Sequence, residues 1–138
     1  MAQSWLLLLG SNQDSDASVR AALARLAAHG AVDLLTPIRR FGSDDGAGGQ
    51  YYNALAQWRH ADDGTPMLTC IRQIELELGR DRGSAEVAID IDVLAAWIGQ
   101  RWHAHAHAAE KNEFTRASVL TLLHEAGLEV MQTPRGKG

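Results

Sequence analysis

The sequence has little cysteine. Cys70 is the only one in 138 residues, so no disulfide can close within the chain, and a reducing, cytoplasmic setting is the expectation. Long apolar runs are missing too. The opening run, Trp5 to Leu9, is too short to span a bilayer and lacks a signal peptide's basic start and cleavage site. No membrane partner is expected. Positive charge is not in excess: 13 Lys and Arg stand against 17 Asp and Glu, a net −4. That argues against nucleic acid held by bulk electrostatics, but an anionic small molecule needs only a few local cations and a metal. Glycines 46, 48 and 49 are not followed by the Lys-Ser/Thr of a phosphate-binding loop,. No Cys-His-Asp arrangement is evident, so Cys70 reads as a small apolar filler.

Against these absences stands 46% hydrophobic residues, enough for a packed core and too many for disorder. One domain over residues 1–133 is expected, monomeric, with a flexible tail at 134–138. The run from Ser4 to Leu9, closed by Gly10, suits a strand buried on both faces. Asp14 or Asp16 could cap a helix to about His29, with Val19, Ala22, Leu23 and Leu26 on one face and Gly30 as its stop. Ala31 to Ile38 reads as a second strand, 42–50 as a loop, and Tyr51 to Arg59 as a third strand. Thr65-Pro66 opens a helix whose face carries Met67, Ile71, Ile74 and Leu78, ending at Gly79. Val87 to Trp97 reads as a buried strand, followed by a polar, histidine-bearing segment to about Asn112. A last helix spans about Thr115 to Ala126, and Leu128 to Met131 adds a short strand. The order predicts an α+β fold: a ferredoxin-like βαββαβ sandwich, helices on one face of an antiparallel sheet, with an additional C-terminal helix.

The chemistry starts at Asp90-Ile91-Asp92. On a strand, residues two apart leave the same face, so the two carboxylates sit together while Ile89, Ile91 and Val93 point into a core. Adjacent carboxylates repel unless a cation lies between them or one takes a proton. Hard oxygen ligands suit magnesium, which accepts one or two carboxylates and leaves other positions to phosphates and water. The bland alternative is an exposed strand face with solvated acids. Glu75 and Glu77 lie near the end of the preceding helix, and Arg80 and Arg82 follow in the connecting loop. Cations there could hold phosphate oxygens, or could simply pair with Glu77, Asp81 or Glu86 at the surface.

Four segments together resemble one family: Leu9-Gly10-Ser11-Asn12, Tyr51-Tyr52-Asn53-Ala54, Ile74 to Arg80, and Ile89 to Leu94. Their order and spacing are similar to those of 6-hydroxymethyl-7,8-dihydropterin pyrophosphokinase of folate biosynthesis, over roughly residues 5–123. The resemblance implies transfer of a pyrophosphoryl group from ATP to the pterin hydroxymethyl, releasing AMP, with Mg2+ as cofactor. By position it implies metal binding at Asp90 and Asp92, and pterin contacts at Gly10, Ser11, Tyr51 and Asn53. It also implies nucleotide contacts at Glu75, Arg82, His107 and Arg116, with Arg80 and Arg82 as catalytic cations. The chemistry of the residues agrees, since an amide can read a pterin's donor-acceptor edge and an aromatic ring can pack on its face.

The chain departs from the family pattern in three places. Residues 83–88, Gly-Ser-Ala-Glu-Val-Ala, lack the usual tryptophan and arginine. His103-Ala104-His105-Ala106-His107 replaces a Pro-His segment, and Ser118 replaces a phenylalanine that closes one side of the pterin, with Phe114 four positions away. These departures support an alternative: a pterin- or nucleotide-binding protein with weakened transfer. The alternating histidines raise a third, a transition-metal site on one strand face, against which a solvated loop is the plainer reading.

Overall fold

The computed structural model describes residues 3–13, 15–42, 50–60, 66–79 and 87–132. The expected Asp14 cap, the Thr65 cap, Arg80, Arg82 and the tail at 134–138 lie outside the described residues.

The apolar opening run forms β1 (Gln3–Ser11), buried from Leu6 onward. Helix α1 (Ala17–Ala27) follows and lays Val19, Ala22 and Leu26 on the sheet. Asp16 occupies its N-cap position without a side-chain capping bond; its carboxylate instead accepts from Arg20 Nε at 2.9 Å. Gly30 does not end α1, whose C-cap is Ala28 in right-handed helical conformation. It opens β2 (Gly30–Leu34), where a Cβ would fall 2.0 Å from the Arg59 carbonyl oxygen. Strand pairing, not helix termination, therefore demands glycine there.

The expected second strand stops early, at Leu34. The chain then breaks around Thr36-Pro37, and an unexpected strand, β3 (Arg39–Gly42), starts past Ile38. Thr36 is buried at the break, and its Oγ1 accepts the Leu55 amide at 3.1 Å. Both strands pair antiparallel with the long β4 (Gln50–His60), β2 along its end and β3 along its start. Helix α2 (Met67–Glu77) buries Cys70, Ile71, Ile74 and Glu75. Pro66 stands at its N-cap position in extended conformation rather than in the first turn.

The last half holds more structure than the sequence suggested. Strand β5 (Asp90–Ile98) turns back through β6 (Arg101–Ala104) as a tight hairpin. The histidine segment then winds into α3 (Ala106–Glu110) and a 3-10 turn at Glu113–Thr115. Helix α4 (Ala117–Ala126) ends at Gly127 in left-handed conformation, φ 67°, the usual glycine stop. The short β7 (Val130–Met131) pairs parallel with β6.

The result is an α+β domain on one sheet of order β2-β4-β1-β5-β6-β7, with β3 beside β4. All pairs are antiparallel except β6 with β7. The expected single helical layer is corrected: both faces are covered. Leu7, Leu9, Ala54, Trp58 and Ile91 pack with α1 and α2. Leu6, Leu8, Leu55 and Leu94 pack with Val119 and Leu122 of α4, Ala108 of α3 and Phe114. A leucine run with no alternation, Leu6 to Leu9, is what a strand buried on both sides requires. Among the described residues no helix is long and apolar enough to cross a membrane.

Candidate active site

Strand β5 carries the acids, and β1 fixes which way they point. Leu8 pairs with Asp92 and Gly10 with Asp90. Leu8 belongs to the core under α4, so both carboxylates leave the sheet on that face, while Ile91 and Val93 join the core under α2. The β1–β5 register shifts between Leu6 and Leu7, leaving Leu94 as the extra residue. Leu94 and Ala95 both then reach the α4 side, and the free Leu94 carbonyl accepts the His105 amide at 2.8 Å. An irregularity next to the acids re-aims the strand and ties it to the start of α3.

From residue 95 on β5 is paired with β6, but its first residues pair with no described strand on that side. Glu75 covers part of it. This carboxylate is 3% exposed and accepts the Ile91 amide at 2.9 Å, holding the acid-bearing strand against α2. The turn after β1 anchors the strand's approach from the other side. Asn12 exchanges two bonds with Val87, N–H to carbonyl at 3.0 Å and Oδ1 from the Val87 amide at 2.6 Å. Ser11 Oγ adds a bond to the same carbonyl at 3.3 Å.

Asp90 and Asp92 line two cavities. The smaller, about 40 Å³, is bounded by Leu8, Gly10, Tyr51, Asn53, both aspartates and Arg116. Asn53 is buried and donates its Nδ2 to the Leu9 carbonyl at 3.2 Å. A Cβ on Gly10 would fall 2.7 Å from that same Nδ2, so Gly10 makes room for the amide. The larger cavity, about 330 Å³, is walled by α2 through Leu68, Ile71, Arg72 and Glu75, and by β5 from Asp90 to Val93. His105, His107 and Lys111 close it.

Electrostatics mark the same place. The Asp92 carboxyl is pushed up to about 7, first by burial, then by the charges of Asp90 and Glu113, against a lowering by Lys111. Glu113 is buried. It accepts from Arg116 Nη1 at 2.8 Å, while Lys111 Nζ lies 3.6 Å from both Asp92 Oδ1 and Glu113 Oε2. Burial, with the His107 charge second, holds His105 below the usual histidine range. A half-buried carboxylate pair whose repulsion Lys111 offsets only in part is a fitting donor set for a hard dication,. Among the described residues no three His, Cys, Asp or Glu side chains could hold a metal together. Magnesium held by Asp90 and Asp92 would leave coordination positions to water and a bound phosphate.

The structure brings together Gly10, Tyr51, Asn53, Asp90, Asp92 and Arg116 around the smaller cavity, and Glu75 and His107 with the two aspartates around the larger. Ser11 stands apart from both linings and serves the turn. The three histidines do not share a strand face: His103 is on β6, His105 caps α3, and His107 is inside it. Phe114 packs in the core under α4 and lines neither cavity. Sequence reasoning missed Lys111 and Glu113. The signal available for the second was the Glu113-x-x-Arg116 spacing, an acid three residues before a cation.

Fold and site define an α+β domain in which one carboxylate pair is shared by two clefts on a sheet's face and edge. The chain matches the family model of 7,8-dihydro-6-hydroxymethylpterin-pyrophosphokinase (HPPK) over residues 6–128 and belongs to that family. No curated protein matches the chain significantly.

Proposed function

We propose that this chain transfers the pyrophosphoryl group of ATP to 6-hydroxymethyl-7,8-dihydropterin, with release of AMP, in folate biosynthesis. The observation that carries the reading is the position of Asp90 and Asp92 between the two cavities, where both substrates can meet one metal. Magnesium bound there would neutralise phosphate oxygens and align them with the acceptor hydroxyl. Asn53 presents its amide to the pterin edge from beside Gly10, with Tyr51 on the same wall. Glu75 and His107 serve the nucleotide side, the first by keeping β5 in place. Arg116 brings a cation to the junction of the two substrates, and Glu113 orients it. Arg80 and Arg82, outside the described residues, are the cations that the family resemblance assigns to the phosphates. The reading takes residues 1–133 as one monomeric cytoplasmic domain. The order β2-β4-β1-β5 with crossovers through α1 and α2 supports a ferredoxin-like core.

Calorimetry with magnesium and α,β-methylene ATP, an analogue that cannot be cleaved between its α and β phosphorus, tests the metal assignment. Asp92→Ala is expected to weaken this binding about 100-fold while the fold persists. Unchanged binding would reject the assignment.

One observation favours a second reading, ligand binding with weakened transfer. Ser118 is buried, its Oγ has no hydrogen-bond partner among the described residues, and Phe114 is taken up by the core. No described aromatic then faces Tyr51 across the small cavity. Tight binding of pterin and nucleotide with no AMP formed would select it.

A further inference from the structure

The reaction proposed above leaves Lys111 without a task, yet its ammonium is placed among the acids. It lies 3.6 Å from Asp92 Oδ1 and 3.6 Å from Glu113 Oε2, at the rim of the larger cavity. Both distances exceed a good hydrogen bond, and the side chain is 47% exposed against 17% for Asp92 and 5% for Glu113. The acids are fixed and the lysine is loosely held. Arg116 differs: it donates to Glu113 at 2.8 Å and lines the smaller cavity. Buried Glu113 thus holds one firm cation toward the small cavity and one loose cation toward the large one.

We propose that Lys111 is a tethered counter-ion: it partly neutralises Asp92 and Glu113 before ligands arrive, then moves to the nucleotide's phosphates when a dication takes its place at Asp92. The inference rests on the reading of Asp90 and Asp92 as the metal site. A lysine suits the exchange. Its charge is compact, its four-carbon stem is flexible, and a half-exposed ion pair costs little to break. The larger cavity is lined by three other basic side chains besides Lys111, namely Arg72, His105 and His107, so an anionic ligand there would meet the released ammonium at the cavity's acid end. Lys111 should therefore oppose the metal alone and favour the metal–nucleotide complex, two effects of opposite sign.

The test measures two affinities, both at pH 8.5. Manganese, a hard dication with similar ligand preferences, is titrated alone by its free-ion paramagnetic resonance signal. Magnesium with α,β-methylene ATP is titrated by calorimetry. Lys111→Met is expected to bind manganese about fivefold more tightly and the nucleotide complex about fivefold more weakly, the scale of a partly exposed pair. Lys111→Arg is expected to keep nucleotide affinity. Loss of both affinities together in Lys111→Met, or no change in either, would overturn the inference. Asp92→Asn separates this failure from that of the underlying reading: if it leaves nucleotide binding intact, the metal site itself is wrong. If Asp92→Asn abolishes binding while Lys111→Met changes neither affinity, only the role of Lys111 falls.

Discussion

Asp92 is half-buried beside Asp90, with Lys111 at 3.6 Å opposing its charge, and its acidity follows. Its carboxyl moves from 3.8 to about 7 on folding. Between those values the folded chain holds a proton that the unfolded chain has released. Stability from this group is therefore full below 3.8 and is lost as pH rises through 7,. Asp92→Asn mimics the protonated form. It should match wild type in urea melts at pH 4 and exceed it by about 1–2 kcal/mol at pH 8. Magnesium with nucleotide should then stabilise wild type and not the variant. Equal melts at both pH values would remove the strain argument. Gly10 makes a second prediction at this scale. A Cβ there meets Asn53 Nδ2 at 2.7 Å, so Gly10→Ala should cost about 1–3 kcal/mol in chemical denaturation and weaken pterin binding by displacing the amide. The acid pair was legible because period-two spacing survives any error in strand boundaries. Lys111 and Glu113 were not, since they follow a strand, a hairpin and a short helix that polar residues conceal.

At the scale of elements, the site depends on one strand edge held by a side chain. Glu75 is buried and accepts the Ile91 amide at 2.9 Å. Glu75→Leu should cost about 2 kcal/mol and speed amide exchange at Ile91, while Glu75→Gln keeps an acceptor and most of the protection. Unaltered exchange at Ile91 in the leucine variant would deny the role. Elements with strong periodicity or a continuous apolar run were legible: β1, β4, β5, α1, α2 and α4 all occur near their expected places. Residues 101–110 were not, because β6 and α3 are short and their polar residues show neither period. The second strand was read as far as Ile38 because Leu35 and Ile38 extend its apolar content. Pro37 and the buried Thr36 hydroxyl stop it at Leu34.

At the scale of the molecule, α4 decides the shape of the site. Sequence order alone could not say which face an extra helix covers. Val119 and Leu122 seat it on the Leu6, Leu8 and Leu55 side, the same face from which Asp90, Asp92 and Asn53 project. That placement closes the smaller cavity with Arg116 and sets Glu113 against Asp92. Leu122 is fully buried, so Leu122→Ala should cost about 3 kcal/mol in thermal or urea unfolding, and a loss under about 1 kcal/mol would mean that α4 is not part of the core. If one acidic pair serves two substrates, AMP formation by the intact chain depends on all of them, which an assay with each component omitted in turn measures. AMP is expected only when ATP, magnesium and 6-hydroxymethyl-7,8-dihydropterin are all present, with a fall of about 100-fold in Asp92→Ala. AMP formation undiminished by that substitution, or its absence from a folded protein that binds neither substrate, would contradict it.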